Sequence, residues 1–255
     1  MSSPPAFVIS LERQPERLEA FFRNNPHHRD VTVFQAVDGW SLSRDDLIAS
    51  GIIAPENRYV EPALGVLMSH LSLWSQAAEQ NRTITVLEDD IILGENFTRS
   101  SQEILSTTKE FDVIFWGVNT DWPISVQPGE GMPEASLLFG KNISPCTASD
   151  CHSPSLFRLL SFAGLGAYTV TPEGARHLLK HLLPIGNIPA KARYFEAGVG
   201  TLSHFINWTN SGLDVELSRQ SGNFRFYLSL PFLARSINDW STSSFKRETH
   251  AIQTG

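Results

Sequence analysis

Cysteine is scarce in this chain: among 255 residues it occurs only as Cys146 and Cys151. Two thiols in a polar stretch, without a third and fourth ligand, make a poor zinc site and read as loop thiols or a local disulfide. No apolar run reaches the roughly eighteen residues of a membrane-crossing helix. Met1 to Ala6 carries no basic region followed by an apolar one, so the expectation is a cytoplasmic protein without a secretory leader. The sequons at Asn81, Asn96, Asn142 and Asn207 therefore carry little meaning. Excess positive charge is also missing. A net charge of −7 sets nucleic acid aside as a partner. There is no Gly-x-x-x-x-Gly-Lys-Ser/Thr loop, which excludes that class of nucleotide-binding phosphotransferase. Nor does an Asp directly follow the first strand, as in haloacid-dehalogenase-like phosphatases; the chain there reads Ser10-Leu11-Glu12.

What remains is an ordinary globular composition, 41% apolar and 18% charged, and long enough for a substantial core. The apolar run Ala6 to Leu11 predicts a buried strand. Pro15 suits the first turn of a helix, to which Leu18, Phe21 and Phe22 give one apolar side. A second strand is expected at Val31 to Val37, closed by Asp38-Gly39. Leu64, Leu67, Leu71, Trp74 and Ala78 recur at helical spacing and predict an amphipathic helix over 64–80, with Trp74 facing the core. Strands follow at Thr83 to Leu87 and Asp112 to Gly117, around a helix near 101–109. Residues 119–160, rich in Pro, Gly and Ser, read as a long functional loop or linker. A further strand is expected over 164–171, then a helix capped by Thr171 with Pro172 at its first position. Strand alternating with helix predicts an α/β fold with a Rossmann-type, mostly parallel sheet flanked by helices.

The most informative segment is Val86-Leu87-Glu88-Asp89-Asp90-Ile91-Ile92. Three acids between apolar runs sit where a buried strand reaches the sheet edge, and clustered, partly desolvated carboxylates need a cation. A hard divalent ion, Mg2+ or Mn2+, is the natural partner, bound by oxygen and leaving positions for diphosphate oxygens. Ligands collect at carboxyl ends of strands in open α/β sheets. If strand geometry persists through the turn, alternation points Glu88 and Asp90 one way and Asp89 the other, which makes Asp90 the first choice of metal ligand, with Glu88 acting from the same side directly or through water. The plain alternative is a solvated acidic turn.

Several segments together resemble glycosyltransferase family 25, the group of lipooligosaccharide and collagen galactosyltransferases. They are Phe7 to Arg17, Phe34-Gln35-Ala36-Val37-Asp38-Gly39, the run Gly65 to Trp74 with Ser69-His70-Leu71 at its centre, Leu87 to Asp90, and Gly166 to Ala175. The tail, Pro231 to Ala234 with Ser241 to Ser244, is similar more loosely. The resemblance implies a GT-A-like fold, a UDP-sugar donor, often UDP-galactose, a divalent metal, and inversion at the anomeric carbon. It implies a glycan acceptor such as a lipooligosaccharide, and peripheral membrane contact where that acceptor is lipid-linked. Residues 1–118 would form the donor-binding half and 119–255 the acceptor-binding half of one domain. Ser10, Leu11, Arg13 and Arg17 would border the nucleotide, with Asp38, His70 and Asp89 as further donor-site residues. Arg13 and Arg17 could instead pair with Glu12, Glu16 or Glu19 on the surface, and His70 could be structural. Inversion needs a carboxylate to take the acceptor's proton. The chain departs from the family there, reading Ala192 to Ala197 where the family often has Pro, Val or Ile, then Asp; Glu196 is the substitute, with Asp121 and Asp150 as other candidates. Two other classes compete: a magnesium-dependent phosphotransferase using the same acids, and a non-catalytic sugar- or nucleotide-binding protein with a degenerate transferase fold.

Overall fold

The computed structural model describes residues 3–139, 154–195 and 203–237. In chain order the elements are β1 (Ala6–Ser10), α1 (Pro15–Asn24), β2 (Val31–Gln35), α2 (Arg44–Ala49), α3 (Glu61–Glu79), β3 (Ile84–Glu88), β4 (Ile91–Leu93), α4 (Phe97–Thr107) and β5 (Val113–Gly117). There follow β6 (Ile124–Gln127), β7 (Ala135–Leu137), β8 (Ser155–Ser161), β9 (Ala167–Val170), α5 (Pro172–Leu182), β10 (Ala190–Phe195), β11 (Ser203–Trp208), α6 (Leu213–Gln220), β12 (Phe226–Leu230) and β13 (Ala234–Ser236).

One nine-stranded sheet, in the order β2-β1-β3-β9-β5-β12-β8-β6-β7, organises the protein, and β10-β11 and β4-β13 form two small ribbons. The expected α/β sheet with flanking helices is present. β2, β1 and β3 are parallel, as are β5 and β12, while β9 runs against both β3 and β5. The apolar run Ala167–Val170 is buried throughout, so its pattern carries no signal of direction; its neighbours decide that. Because β9 is antiparallel, its entering end lies beside the leaving ends of β3 and β5. The Glu88 amide donates to the Gly166 carbonyl there at 2.8 Å.

Residues 119–160 are not simply a linker. Their described part contributes β6, β7 and β8, which close the far edge of the same sheet. The residues of β7 are only half-buried, which explains why composition hid the strand. Cys146, Cys151, Asn142, Asp150, Glu196 and the tail Ser241 to Ser244 lie outside the described residues. No helix among the described residues is long and apolar enough to cross a membrane.

α3 packs behind the leaving ends of the first strands. A close approach at two glycines fixes its position: a Cβ on Gly39 would stand 1.7 Å from the Glu61 carbonyl oxygen, and one on Gly65 would stand 2.7 Å from that of Val37. Ser69 ties the same joint, its Oγ accepting from the Val37 amide and donating to the Gly65 carbonyl.

Candidate active site

A cavity of about 800 Å³ opens at this edge of the sheet. Ser10, Leu11, Arg13, Arg17, Asp38, His70, Glu88, Asp89, Asp90 and Asp121 all line it, so the residues singled out in sequence come together, apart from the two outside the described segments. The surface pairing considered for the arginines is not what forms. Arg13 donates to Asp38 Oδ2 at 2.8 Å, and Arg17 Nε donates to Asp89 Oδ1 at 2.7 Å.

The three acids have different environments. Asp89 is buried and spent: Arg17 holds one oxygen, and Ser10 Oγ donates to the other at 2.9 Å. Burial opposes the charge of Arg17, but Asp89, with Asp90 and Glu88 behind it, outweighs that and raises the guanidinium pKa. Asp89 and Asp90 form a turn just past the end of β3, so strand alternation does not fix their directions; Asp90 Oδ2 comes within 4.0 Å of the same Arg17 guanidinium that holds Asp89. Asp90 Oδ2 also accepts from Ser236 Oγ at 3.2 Å, while its Oδ1 is buried with no partner among the described residues. Burial first, and repulsion from Glu88 next, push the Asp90 carboxyl up to about 6. Asn25 braces the turn from behind. Its amide donates to the Ile91 carbonyl, and its oxygen accepts from the Leu93 amide, which fastens β4 to α1.

Glu88 faces a buried relay. Trp74 Nε1 donates to the Tyr168 hydroxyl at 2.8 Å, and that hydroxyl lies 2.7 Å from His70 Nδ1. Tyr168 has one hydrogen to give, so the network assigns it to His70 Nδ1 and leaves the ring proton on Nε2, which stands 3.6 Å from Glu88 Oε1. Trp74 therefore both packs and donates. Tyr168→Phe strands two buried ring nitrogens and is expected to cost about 1–3 kcal/mol in denaturant unfolding. A loss below about 0.5 kcal/mol would show that the relay does not hold the helix to the sheet.

Among the described residues no three or more His, Cys, Asp or Glu side chains group as a ready metal cage. Glu88 and Asp90 fit a different arrangement, in which one or two carboxylates share a hard divalent ion with substrate oxygens. The unpartnered Oδ1 of Asp90 is an oxygen with capacity to spare.

Sequence reasoning missed the far wall. It is made of Asn119 and Trp122 after β5, Gly164 before β9, Trp208 at the end of β11, and Asp214 in the first turn of α6. Asp214 Oδ2 accepts from the Gly164 amide at 2.9 Å; burial raises its pKa against that and other backbone donors, and Glu88 adds to the rise. The clue in sequence was Ser211-Gly212 ahead of Leu213-Asp214, a helix start. The helix itself was obscured because Glu216, on its inward side, is buried. Asn210, Arg219 and Gln220 satisfy that acid, and Tyr59 ties Asn210 and the Gly212 carbonyl into the same network.

The family model described as "Glycosyltransferase family 25 (LPS biosynthesis protein)" matches residues 3–191. A "Glycosyltransferase 25 family member" of Aedes aegypti is 32% identical over 125 residues, covering 44% of this chain and 20% of that protein. A protein of Haemophilus influenzae that carries a proposed glycosyltransferase name is 29% identical over 128 residues, 50% of this chain and 38% of its own length. The matches thus span well under half of these relatives. The family match covers most of the present chain and contains the acidic turn, the arginine turn and the Gly65-to-Trp74 helix: the chain belongs to glycosyltransferase family 25.

Proposed function

We propose that the protein is an inverting, metal-dependent glycosyltransferase that moves a hexose, galactose before others, from a UDP-sugar to a glycan acceptor such as a lipooligosaccharide. The observation that carries this reading is the split at the acidic turn. All three acids line the cavity, but Asp89 is consumed by Arg17 and Ser10, while Asp90 keeps an oxygen without a partner among the described residues. Glu88 and Asp90 would hold Mg2+ or Mn2+, whose charge would neutralise the departing diphosphate.

The chain's own residues supply the rest. Arg13, in the turn after β1, and Arg17, in the first turn of α1, put cationic groups on the β1 wall, where Ser10, Leu11 and Asp38 would border the nucleotide. His70 would present its Nε2 hydrogen to Glu88 across 3.6 Å, as an electrostatic neighbour and not as a formed hydrogen bond. Inversion is a single displacement in which a carboxylate takes the acceptor hydroxyl's proton. Asp121 and Asp214 line the cavity beyond the acidic turn, which supports assigning the base to that wall. The first 118 residues would thus carry the donor, and the remainder most of the acceptor side.

Thermal unfolding with UDP, in the presence and absence of Mn2+, tests the reading. UDP is expected to stabilise the protein several-fold more strongly with the metal, by mass action on the folded state. Equal stabilisation without metal would remove the ion from the site, and none in either condition would overturn the transferase reading. Stabilisation without turnover of any UDP-sugar would favour the non-catalytic alternative.

A further inference from the structure

Trp122 and Trp208 come from segments far apart in sequence and stack at 4.6 Å between ring centroids, with 29° between planes. Both line the cavity, and neither is fully buried. Trp122 Nε1 is buried and lacks an acceptor among the described residues. Large aromatics left part-exposed in a cleft cost solvation and serve best where a ligand covers them. Trp208 and Asp214 also lie beyond the matched residues 3–191, in a part of the chain to which the family match assigns nothing.

Sheet order gives this pair its meaning. Along the edge come β1 with the arginine turn, then β3 with Glu88 to Asp90, then the start of β9 with Gly164, then β5 followed by Trp122. The acids stand between a cationic wall and an aromatic one. Group transfer needs that sequence: the anionic leaving group on one side of the reacting carbon and the attacking hydroxyl on the other. The aromatic wall has indole faces and the carboxylates of Asp121 and Asp214; Arg13 and Arg17 stand on the opposite wall, and Arg58 lines the cavity from the segment ahead of α3. An indole face suits the apolar C–H face of a pyranose, and a carboxylate suits its hydroxyls.

We propose that Trp122 and Trp208 form the platform of an acceptor subsite that takes a neutral pyranose ring face-on, with Asp214 accepting hydrogen bonds from its hydroxyls. The proposal rests on the transferase reading above and names the acceptor side of the same cavity. Its ligand class is an uncharged hexose unit at the end of a glycan. The nucleobase of the donor is the other ring that could stack here, and the test separates the two.

Saturation-transfer NMR with methyl glycosides of glucose, galactose, mannose and N-acetylglucosamine, run with Mg2+ and UDP present, is the experiment. At least one glycoside is expected to bind with UDP in place. Trp208→Ala is expected to weaken that binding at least tenfold, while UDP affinity of the same variant stays within twofold. Trp208→Phe, which keeps an aromatic face and controls for misfolding, should retain most of it. Asp214→Asn should weaken glycoside binding while leaving UDP binding in place. Failure of all four glycosides to bind the wild-type protein would overturn the subsite, as would equal binding to Trp208→Ala. Competition between UDP and the glycoside would assign the indoles to the donor instead. Failure of UDP itself to bind would strike the transferase reading, which a parallel UDP titration reports separately.

Discussion

Asp90→Ala is expected to lower sugar transfer by about a hundredfold to a thousandfold, the scale for removing one preorganised electrostatic group from a reacting centre. It should also abolish the metal-dependent part of UDP binding. The fold should not suffer. Burial and the nearby Glu88 raise the Asp90 carboxyl to about 6, above its ordinary value of 3.8. The sign follows from linkage: an acid with a raised folded-state pKa is a penalty to the folded state once pH exceeds its unfolded value, and the penalty is complete above about 6. At pH 7 to 8 the alanine variant should therefore melt at or above the wild-type temperature. Loss of activity with stability kept or gained marks a residue retained for function. Unchanged turnover would remove Asp90 from the reaction, and a large fall in melting temperature would recast it as structural.

Arg17→Met has the opposite signature. Arg17 and Asp89 are 22% and 7% exposed, and among the described residues Arg17 is the sole cation bonded to that carboxylate. Removing it leaves a buried charge with only the Ser10 hydroxyl, a loss of about 3–5 kcal/mol. For a domain of this size that is a fall in melting temperature on the order of 10 °C. Arg17→Met combined with Asp89→Asn should recover much of the loss, because the stranded charge is then gone. Both are read by thermal unfolding at pH 7. A single variant that melts within about 2 °C of wild type would show that water reaches Asp89 and that the pair is not the brace of the acidic turn. Arg17 could still touch the donor, and Arg17→Lys separates the two roles, since it keeps charge but loses the planar fork.

Much of the first half was legible because its signals are local. Pro15 and Pro172 sit at helix starts as read, and Thr171 accepts from the Gly174 amide as a cap should. The polar members of the Gly65-to-Trp74 helix could be recognised as a pattern, but their reasons lie elsewhere in the chain: Ser69 bonds Val37, and His70 and Trp74 meet at Tyr168. The second half was harder to read. Buried Glu216 breaks the apolar stripe of α6, and buried Ser229 interrupts the apolar run of β12. β6 to β8 lie in a stretch whose composition resembles a linker.

Sequence alone determined where strands end and carboxylates begin, because burial of Val86 and Leu87 beside Glu88-Asp89-Asp90 is written in adjacent residues. It did not determine which partner each acid meets, because Asp89 and Asp90 lie in a turn beyond the end of β3, where strand alternation no longer holds. Only the tertiary structure decided that Asp89 belongs to Arg17, that β9 enters the sheet against its neighbours, and that Trp122, Trp208 and Asp214 close the cavity's far wall. Those are pairings between residues dozens of positions apart. No local pattern encodes them, since each is chosen by the packing of the whole sheet and not by the segment that carries it.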